Sequence, residues 1–162
     1  MISLFRIRLS KFLGNKAFTL LELMFASSIL VVVLVGLLYS YVVCFELNEF
    51  SRNLTLANNA LQAELESIKE IPFDDLNNLD GTTFDIVGLD AQDAEGLVEV
   101  YNSPYADLKY VRLVASWRQK SNRIIGEDKN LNGNLENSED VNNNNVMDSP
   151  AELVTLISKI NG

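Results

Sequence analysis

The longest apolar pattern in the sequence is a run of 23 residues without a charged side chain, at positions 23–45. As an α-helix this run is roughly 35 Å long at about 1.5 Å per residue, which is enough to cross the hydrocarbon core of a bilayer. A cleaved secretory signal is the alternative, but the run is long for a signal core and no A-x-A-like cleavage site follows it. The pattern therefore predicts a transmembrane helix.

After the apolar run, hydrophobic residues recur every three or four positions among polar neighbours, which is the period of a helix with one buried face. The residues of this face are Leu47, Phe50, Leu54, Ala57, Leu61, Leu65, Ile68 and Ile71. Pro72 predicts the end of the helix, because proline lacks an amide donor and restricts the residue before it. The sequence thus predicts one helix over about 18–71, with a transmembrane part at 18–45 and an amphipathic stem at 46–71.

From Pro72 onward the pattern changes to short segments with β character, separated by turn residues such as Asp80-Gly81. The predicted strands are 82–87, 97–101, 108–118 and 153–160. Apolar Val111, Leu113, Ala115 and Trp117 alternate with polar residues in the third strand, and Val114 adds an apolar residue to its other face. We therefore predict an α+β fold, in which an antiparallel sheet at 72–162 packs on the amphipathic stem.

Charge is distributed unevenly along the chain. The formal net charge is −9, but the first seventeen residues carry four basic side chains and no acidic one, which leaves −13 for the rest. The four basic residues are Arg6, Arg8, Lys11 and Lys16. Because they precede the apolar run, the positive-inside bias predicts a cytoplasmic N-terminus and a head outside the cytoplasm. The acidic body would repel nucleic acid phosphates, so we expect protein, membrane or cation partners.

Two residue types that carry much enzyme chemistry are scarce in the sequence. Histidine does not occur, which removes the commonest general base and most zinc sites. The single cysteine, Cys44, lies in the apolar run and cannot form an intramolecular disulfide. We therefore expect a protein without enzymatic activity.

The junction between the basic segment and the apolar run contains a recognisable motif, Lys-Ala-Phe-Thr-Leu-Leu-Glu-Leu-Met at positions 16–24. It resembles the processing and N-methylation motif of type IV prepilins and pseudopilins. The resemblance implies that residues 1–17 are a leader, that a prepilin peptidase cuts between Ala17 and Phe18, and that Phe18 becomes the methylated N-terminus. It also implies that Glu22 is the assembly glutamate. The family usually has glycine at the position of Ala17.

Glu22 is unusual for a physical reason that does not depend on the resemblance. A carboxylate at the edge of an uncharged run costs several kcal/mol in a membrane unless it has a partner. The new amine of Phe18 on a neighbouring subunit would be such a partner, and pairing would set the stagger between helices. The alternative is a glutamate that extends to the membrane interface, near a helix start where its charge suits the dipole.

A second motif lies in the head, within residues 126–152, a stretch that resembles a pair of twelve-residue EF-hand-like calcium loops. The first loop has oxygen donors at the expected spacing and Gly133 at its sharp turn. Its predicted ligands are Asp128, Asn130, Asn132, the carbonyl group of Asn134, and Glu139 as the closing bidentate ligand. Hard oxygen donors favour Ca²⁺. A mobile asparagine-rich loop is the alternative.

The second loop repeats the pattern twelve residues later. Its predicted ligands are Asp140, Asn142, Asn144, the carbonyl group of Val146, and Asp148. It departs from the pattern twice, because Asn145 replaces the glycine and Ala151 replaces the closing glutamate, although Glu152 follows directly. We therefore expect weaker binding or a shared ion here. The stretch has seven acidic residues and one lysine, so a structural Ca²⁺ would also relieve charge repulsion.

These features lead to two functional hypotheses. The first is a structural subunit, a minor pilin or pseudopilin, which is inserted in the bacterial inner membrane with its head in the periplasm. It would then assemble with other subunits into a type IV pilus or a type II secretion pseudopilus. The second is an unprocessed single-pass membrane protein that displays a calcium-dependent binding head.

Overall fold

The computed structural model describes residues 19–159 of the chain. These residues form two compact units that divide between Val43 and Cys44, and each is described separately. One α-helix, α1 (Leu20–Lys69), contains the described part of the first unit and the beginning of the second. The predicted first residue of the helix, Phe18, lies outside the described residues.

In the first unit, α1 begins directly after Thr19. The hydroxyl oxygen of Thr19 accepts a hydrogen bond from the backbone N–H of Glu22 at 3.2 Å, so Thr19 acts as an N-cap for a donor that lacks a helical partner. The large apolar side chains that follow are exposed, from 78% for Leu20 to 49% for Leu34, except that Val43 is half-buried. This helix is long and apolar enough to cross a membrane, as its length and composition predicted.

In the second unit, α1 buries only one face, largely as the spacing of its apolar residues predicted. Leu47, which was predicted on this face, is instead 60% exposed. The residues buried on this face are Asn53, Ala57, Ala60, Leu61, Leu65 and Ile68. The helix ends at Lys69, two residues before the predicted end, because the next two N–H groups bond to carbonyls three residues back. Pro72 then starts a 3₁₀-helix (Phe73–Leu79), which the sequence pattern did not predict.

The head contains one antiparallel sheet of five strands. Their bounds are β1 (Thr82–Phe84), β2 (Ala94–Asn102), β3 (Leu108–Arg118), β4 (Ile124–Ile125) and β5 (Ala151–Ser158). β3 is central: β2 lies along one side of it and in turn pairs with β1, whereas β4 and β5 pair with different parts of its other side. The predicted third strand matches β3 residue for residue, and β4 was not predicted.

The inner face of the sheet packs on the stem part of α1 and forms the main core. Val111, Leu113, Ala115 and Trp117 of β3 are all 0% exposed, which confirms the alternation read from the sequence. The Trp117 ring lies 6.1 Å from the ring of Phe50 on the helix. The predicted α+β arrangement, a long helix packed on a small antiparallel sheet, is therefore confirmed.

The outer face of the sheet has a smaller apolar cluster of its own. Val114, the extra apolar residue of β3, is 0% exposed and packs with Leu97 and Met147, with Leu135 at the margin. Met147 and Leu135 belong to the long segment between β4 and β5, which includes both predicted cation loops. This segment therefore covers part of the outer face.

The packing of α1 on the sheet can be tested at Leu61, which is fully buried against the core. We expect Leu61→Ala to lower the free energy of unfolding by about 3 kcal/mol, because the sheet cannot close the cavity completely. The matched control is Leu47→Ala on the same helix, where the side chain is 60% exposed and the loss should be small. Urea denaturation followed by Trp117 fluorescence measures both, and equal losses would contradict the packing.

Candidate functional site

At the N-terminal junction, Glu22 lies in the first turn of α1 and its side chain is exposed. It is the only charged residue between positions 20 and 45. Its sequence neighbours Leu21 and Leu23 are each 65% exposed. The predicted cleavage residues, Ala17 and Phe18, lie outside the described part of the chain. Up to Phe45, the helix thus presents one carboxylate on an otherwise uncharged apolar surface.

The two predicted cation loops, at 128–139 and 140–151, have closely equivalent local geometry. In the first, the carboxylate of Asp128 accepts hydrogen bonds from the N–H groups of Asn132 and Gly133 at 3.1 and 2.8 Å. The equivalent donors to Asp140 in the second loop are the N–H groups of Asn144 and Asn145, again at 3.1 and 2.8 Å. The first aspartate of each loop therefore stabilises a turn, because its carboxylate binds the backbone four and five residues later.

The middle of each loop repeats the same geometry with asparagine side chains. In the first loop, Asn130 accepts from the N–H of Asn132 at 3.1 Å, and Asn132 accepts from the N–H of Asn134 at 2.8 Å. The second loop has the equivalent acceptors Asn142 and Asn144, at 3.0 and 2.8 Å. In each loop, the first Asp ligand and the two Asn ligands after it therefore accept hydrogen bonds from the N–H groups of one three-residue segment. This segment is 132–134 in the first loop and 144–146 in the second.

Two left-handed residues in each loop also occupy equivalent positions. Leu131 and Asn143 both have φ near +57°, and they are followed two residues later by Gly133 at +74° and Asn145 at +58°. Asparagine adopts this conformation more readily than most residues, so Asn145 takes the place of the missing glycine. The departure noted at this position does not change the fold of the second loop.

Glu139 closes the first loop, where the sequence pattern predicts the bidentate ligand. Its side chain is buried at 3% exposure, and one carboxylate oxygen accepts from the N–H groups of Lys129 and Asn130 at 3.0 and 3.1 Å. The other oxygen accepts a longer bond from the N–H of Glu136, at 3.4 Å. Glu139 thus joins the beginning of the loop to its end.

Glu127 occupies the corresponding place in the second loop, and sequence reasoning missed it. Its two carboxylate oxygens accept from the N–H groups of Val141 and Asp148, each at 3.1 Å. Val141 and Asp148 correspond to Lys129 and Glu136 of the first loop at the twelve-residue offset. Each glutamate therefore directly precedes one loop and closes the other, which interlocks the pair.

The sequence does contain a signal for Glu127, but it is visible only when the twelve-residue repeat is started one residue earlier. Both loops begin with Glu-Asp, at 127–128 and 139–140, so the repeat starts one residue before the loop proper. Glu152, which the sequence placed near the missing closing position, instead lies on β5 and accepts a hydrogen bond from Arg112 at 2.8 Å. Which acidic residue reaches the second loop depends on the tertiary structure.

Arg112 connects the loop pair to the sheet from the outer face of β3. Its side chain is 8% exposed and pairs with Glu99 of β2 and Glu152 of β5. A third bond goes to the carbonyl oxygen of Met147 in the loop segment, at 2.6 Å. Burial by itself would lower the pKa of Arg112, but the hydrogen bonds to Glu152 and Glu99 outweigh it and raise the pKa. The guanidinium therefore stays charged and holds three chain segments together.

The first loop also makes close contact with the sheet at Gly133. A methyl group on this glycine would lie 2.2 Å from the side-chain methyl of Thr83 on β1. The carboxylate of Asp128 is buried next to this turn, with the residue 1% exposed. The second loop is more open, since Asn142, Asn144 and Asn145 are exposed. The first loop is thus the more firmly anchored of the two.

Chemically, each loop offers side-chain oxygens from aspartate, asparagine and glutamate together with backbone carbonyl groups. This donor set suits a hard cation such as Ca²⁺ rather than zinc. Among residues 19–159, no three His, Cys, Asp or Glu side chains come together as a metal-binding cluster. Amide and carbonyl oxygens would therefore have to complete the ligand set of any cation held by either loop.

The chain matches no protein-family model, no curated protein and no solved structure.

The contact at Gly133 gives a test of how the first loop is anchored. We expect Gly133→Ala to destabilise the head by about 3 kcal/mol, because the new methyl group meets both an unfavourable φ and Thr83. Gly81→Ala is the matched control: its φ is +76°, but nothing lies within 4 Å of the new methyl group, so the loss should be about 1 kcal/mol. Urea denaturation measures both.

A double variant separates the two causes of this loss. Thr83→Ala removes the opposing methyl group, so Gly133→Ala should cost no more than Gly81→Ala when it is made in that background. If the cost of Gly133→Ala is unchanged, the loop does not rest on Thr83.

Proposed function

We propose that this chain is a structural subunit of a type IV pilus or a type II secretion pseudopilus. A prepilin peptidase would cleave the precursor between Ala17 and Phe18 and methylate the amine of Phe18. The observation that carries the proposal is Glu22, a single carboxylate in the first turn of an exposed, otherwise uncharged helical segment. The processing motif around it gives this carboxylate a specific role.

Glu22 needs a cationic partner when the surrounding helix enters lipid or a bundle of helices. Cleavage supplies one, because it removes four positive charges and creates a new amine at Phe18. Pairing between Glu22 of one subunit and the Phe18 amine of the next offsets the cost of desolvating both charges. It also sets the axial stagger between subunits, which is what a helical filament requires.

The apolar helix and the basic leader also suggest where the protein is located before and after assembly. Before assembly, the apolar helix would anchor the precursor in the bacterial inner membrane, with the basic leader in the cytoplasm and the head in the periplasm. After cleavage the helix would leave the lipid for the filament core, where other pilin or pseudopilin subunits cover its apolar surface. The short strands and the closing strand β5 favour a minor subunit, at the start or tip of the filament.

For the head we propose that the loop pair binds two Ca²⁺ ions, one in each loop. The support is the shared hydrogen-bond pattern at the twelve-residue offset, together with a closing glutamate for each loop. The ions would offset the excess of acidic over basic residues in the segment 126–152. Their role would be structural: they would order the long connection between β4 and β5 and would substitute for the disulfide that many pilin heads use.

The first test combines processing with assembly in cells. We expect mass spectrometry of the mature wild-type chain to find N-methylated Phe18 at its N-terminus. Glu22→Ala should still be cleaved, but its incorporation into filaments should fall at least about tenfold, since the partner of the new amine is lost. Glu46→Ala is the matched control on the same helix.

Two results would overturn this proposal. An intact Met1 in the mature protein would favour the unprocessed single-pass protein with a calcium-dependent head. Normal incorporation of Glu22→Ala would remove the role assigned to the carboxylate.

The second test measures Ca²⁺ binding by titration calorimetry on the full-length protein in detergent. We expect two equivalents of Ca²⁺ for the wild type, and about tenfold weaker binding at one of them for Glu127→Gln or for Glu139→Gln. Glutamine keeps the size of the side chain and one acceptor oxygen, so the change mainly removes charge. Ca²⁺ should also raise the melting temperature of the wild type.

Glu136→Gln is the control for this titration. Glu136 is exposed, and its carboxylate accepts one long bond, from the Asn132 side chain at 3.3 Å. Ca²⁺ binding should be nearly unchanged in this variant. The loops would not be specific sites if the wild-type protein bound no Ca²⁺. The same conclusion would follow if Glu127→Gln, Glu139→Gln and Glu136→Gln all lowered the Ca²⁺ affinity equally.

A further inference from the structure

β5 forms an edge of the sheet. Among residues 19–159 it pairs with β3 alone, through eight residue pairs from Leu108–Ser158 to Ala115–Ala151. The backbone groups on its other side are therefore available to a further strand. Exposed edges are usually protected by proline, by several charged side chains or by a bulge. β5 has the sequence Ala-Glu-Leu-Val-Thr-Leu-Ile-Ser, which contains one charged residue and no proline.

Next to this edge, the outer face of the sheet carries four exposed apolar or aromatic side chains, which we call the edge patch. They are Tyr101 (43% exposed), Tyr110 (40%), Val154 (55%) and Leu156 (52%). Tyr110 is paired in register with both Tyr101 and Leu156, so these three form one row across β2, β3 and β5. The loop pair covers a different row, at Leu97 and Val114, and leaves the edge patch open.

The charges around the edge patch restrict what can bind it. Glu99, Asp148 and Glu152 lie within 4 Å of a single guanidinium, that of Arg112, at 2.5, 3.7 and 2.8 Å. Three carboxylates against one cation leave a local excess of negative charge beside Val154. The unit that begins at Cys44 is acidic as a whole, with 21 acidic and 9 basic residues. A second copy of the chain would bring like charges together, whereas a basic partner would be attracted.

We propose that β5 accepts an antiparallel strand from a different polypeptide with an alternating apolar and basic sequence. Two aliphatic or aromatic side chains of that strand would lie opposite Leu156 and Val154, and a lysine or arginine two positions later would lie opposite Glu152. Main-chain hydrogen bonds supply affinity in this mode, and the alternate side chains supply specificity. The partner strand would extend the sheet and cover the edge patch.

The experiment uses the full-length protein in detergent and a short extended peptide as the probe. The peptide carries two valines and then a lysine at alternate positions, with threonine and serine between them. We expect it to slow amide hydrogen exchange in β5, because the outward N–H groups gain acceptors. A matched peptide with glutamate in place of the lysine should bind at least about tenfold more weakly.

Two variants locate the binding on the protein. Leu156→Lys should reduce the affinity at least about tenfold, because it places a positive charge in the edge patch. Val87→Lys makes the same kind of change at a residue that is 82% exposed and lies outside β5, so it should have no effect. Both side chains are more than half exposed, so both variants should fold.

Three results would overturn the proposal. The first is an absence of β5 protection by the lysine peptide. The second is equal binding of the lysine and glutamate peptides, or equal effects of the two variants. The third is protection of β5 without peptide that increases with protein concentration, which would make a second copy of the chain the occupant.

Discussion

The head is organised around the buried guanidinium of Arg112. A charge in this position has to be paired, and its partners come from three places: Glu99 on β2, Glu152 on β5, and the carbonyl of Met147 in the segment between β4 and β5. Because these bonds form together, the segment that contains the loop pair is held against the outer face of the sheet. The Met147 side chain then packs on Leu97 and Val114. The sheet consequently has two buried areas, one against the helix and one against the loops.

The interlocked glutamates give the loop pair its internal order. Since Glu127 closes the second loop and Glu139 closes the first, neither loop can open without disturbing the other. The segment 126–152 also holds seven acidic residues and one lysine, and repulsion among like charges opposes its order unless cations are present. This provides a physical reason to treat the two proposed Ca²⁺ sites as coupled. It also explains how a head without a disulfide could hold a long irregular connection in place.

The N-terminal helix and the head would bind their partners through different kinds of interaction. The helix from Leu20 has an apolar surface on which Glu22 is the only charge before Glu46, so its contacts would be set by burial and by one ion pair. The acidic head has an open strand edge next to the edge patch, and its contacts would be set by main-chain bonds and charge complementarity. Assembly and partner selection would thus reside in separate parts of the chain.

Much of this architecture is predictable from the sequence, because the determining interactions are local. Helical spacing predicted a continuous helix and, apart from Leu47, its buried face, and Pro72 predicted the end to within two residues. The alternation of apolar residues predicted β3 with Trp117 on the core face. The twelve-residue repeat predicted two equivalent loops, and the Asp128 and Asp140 side chains accept equivalent hydrogen bonds in them. Only the tertiary structure decided that Val114 is buried, that Glu127 closes the second loop and that Glu152 serves Arg112 instead. Those outcomes depend on which segments meet across the sheet. The repeated Glu-Asp at 127–128 and 139–140 marks Glu127 in the sequence, but the repeat does not tell which loop this glutamate closes.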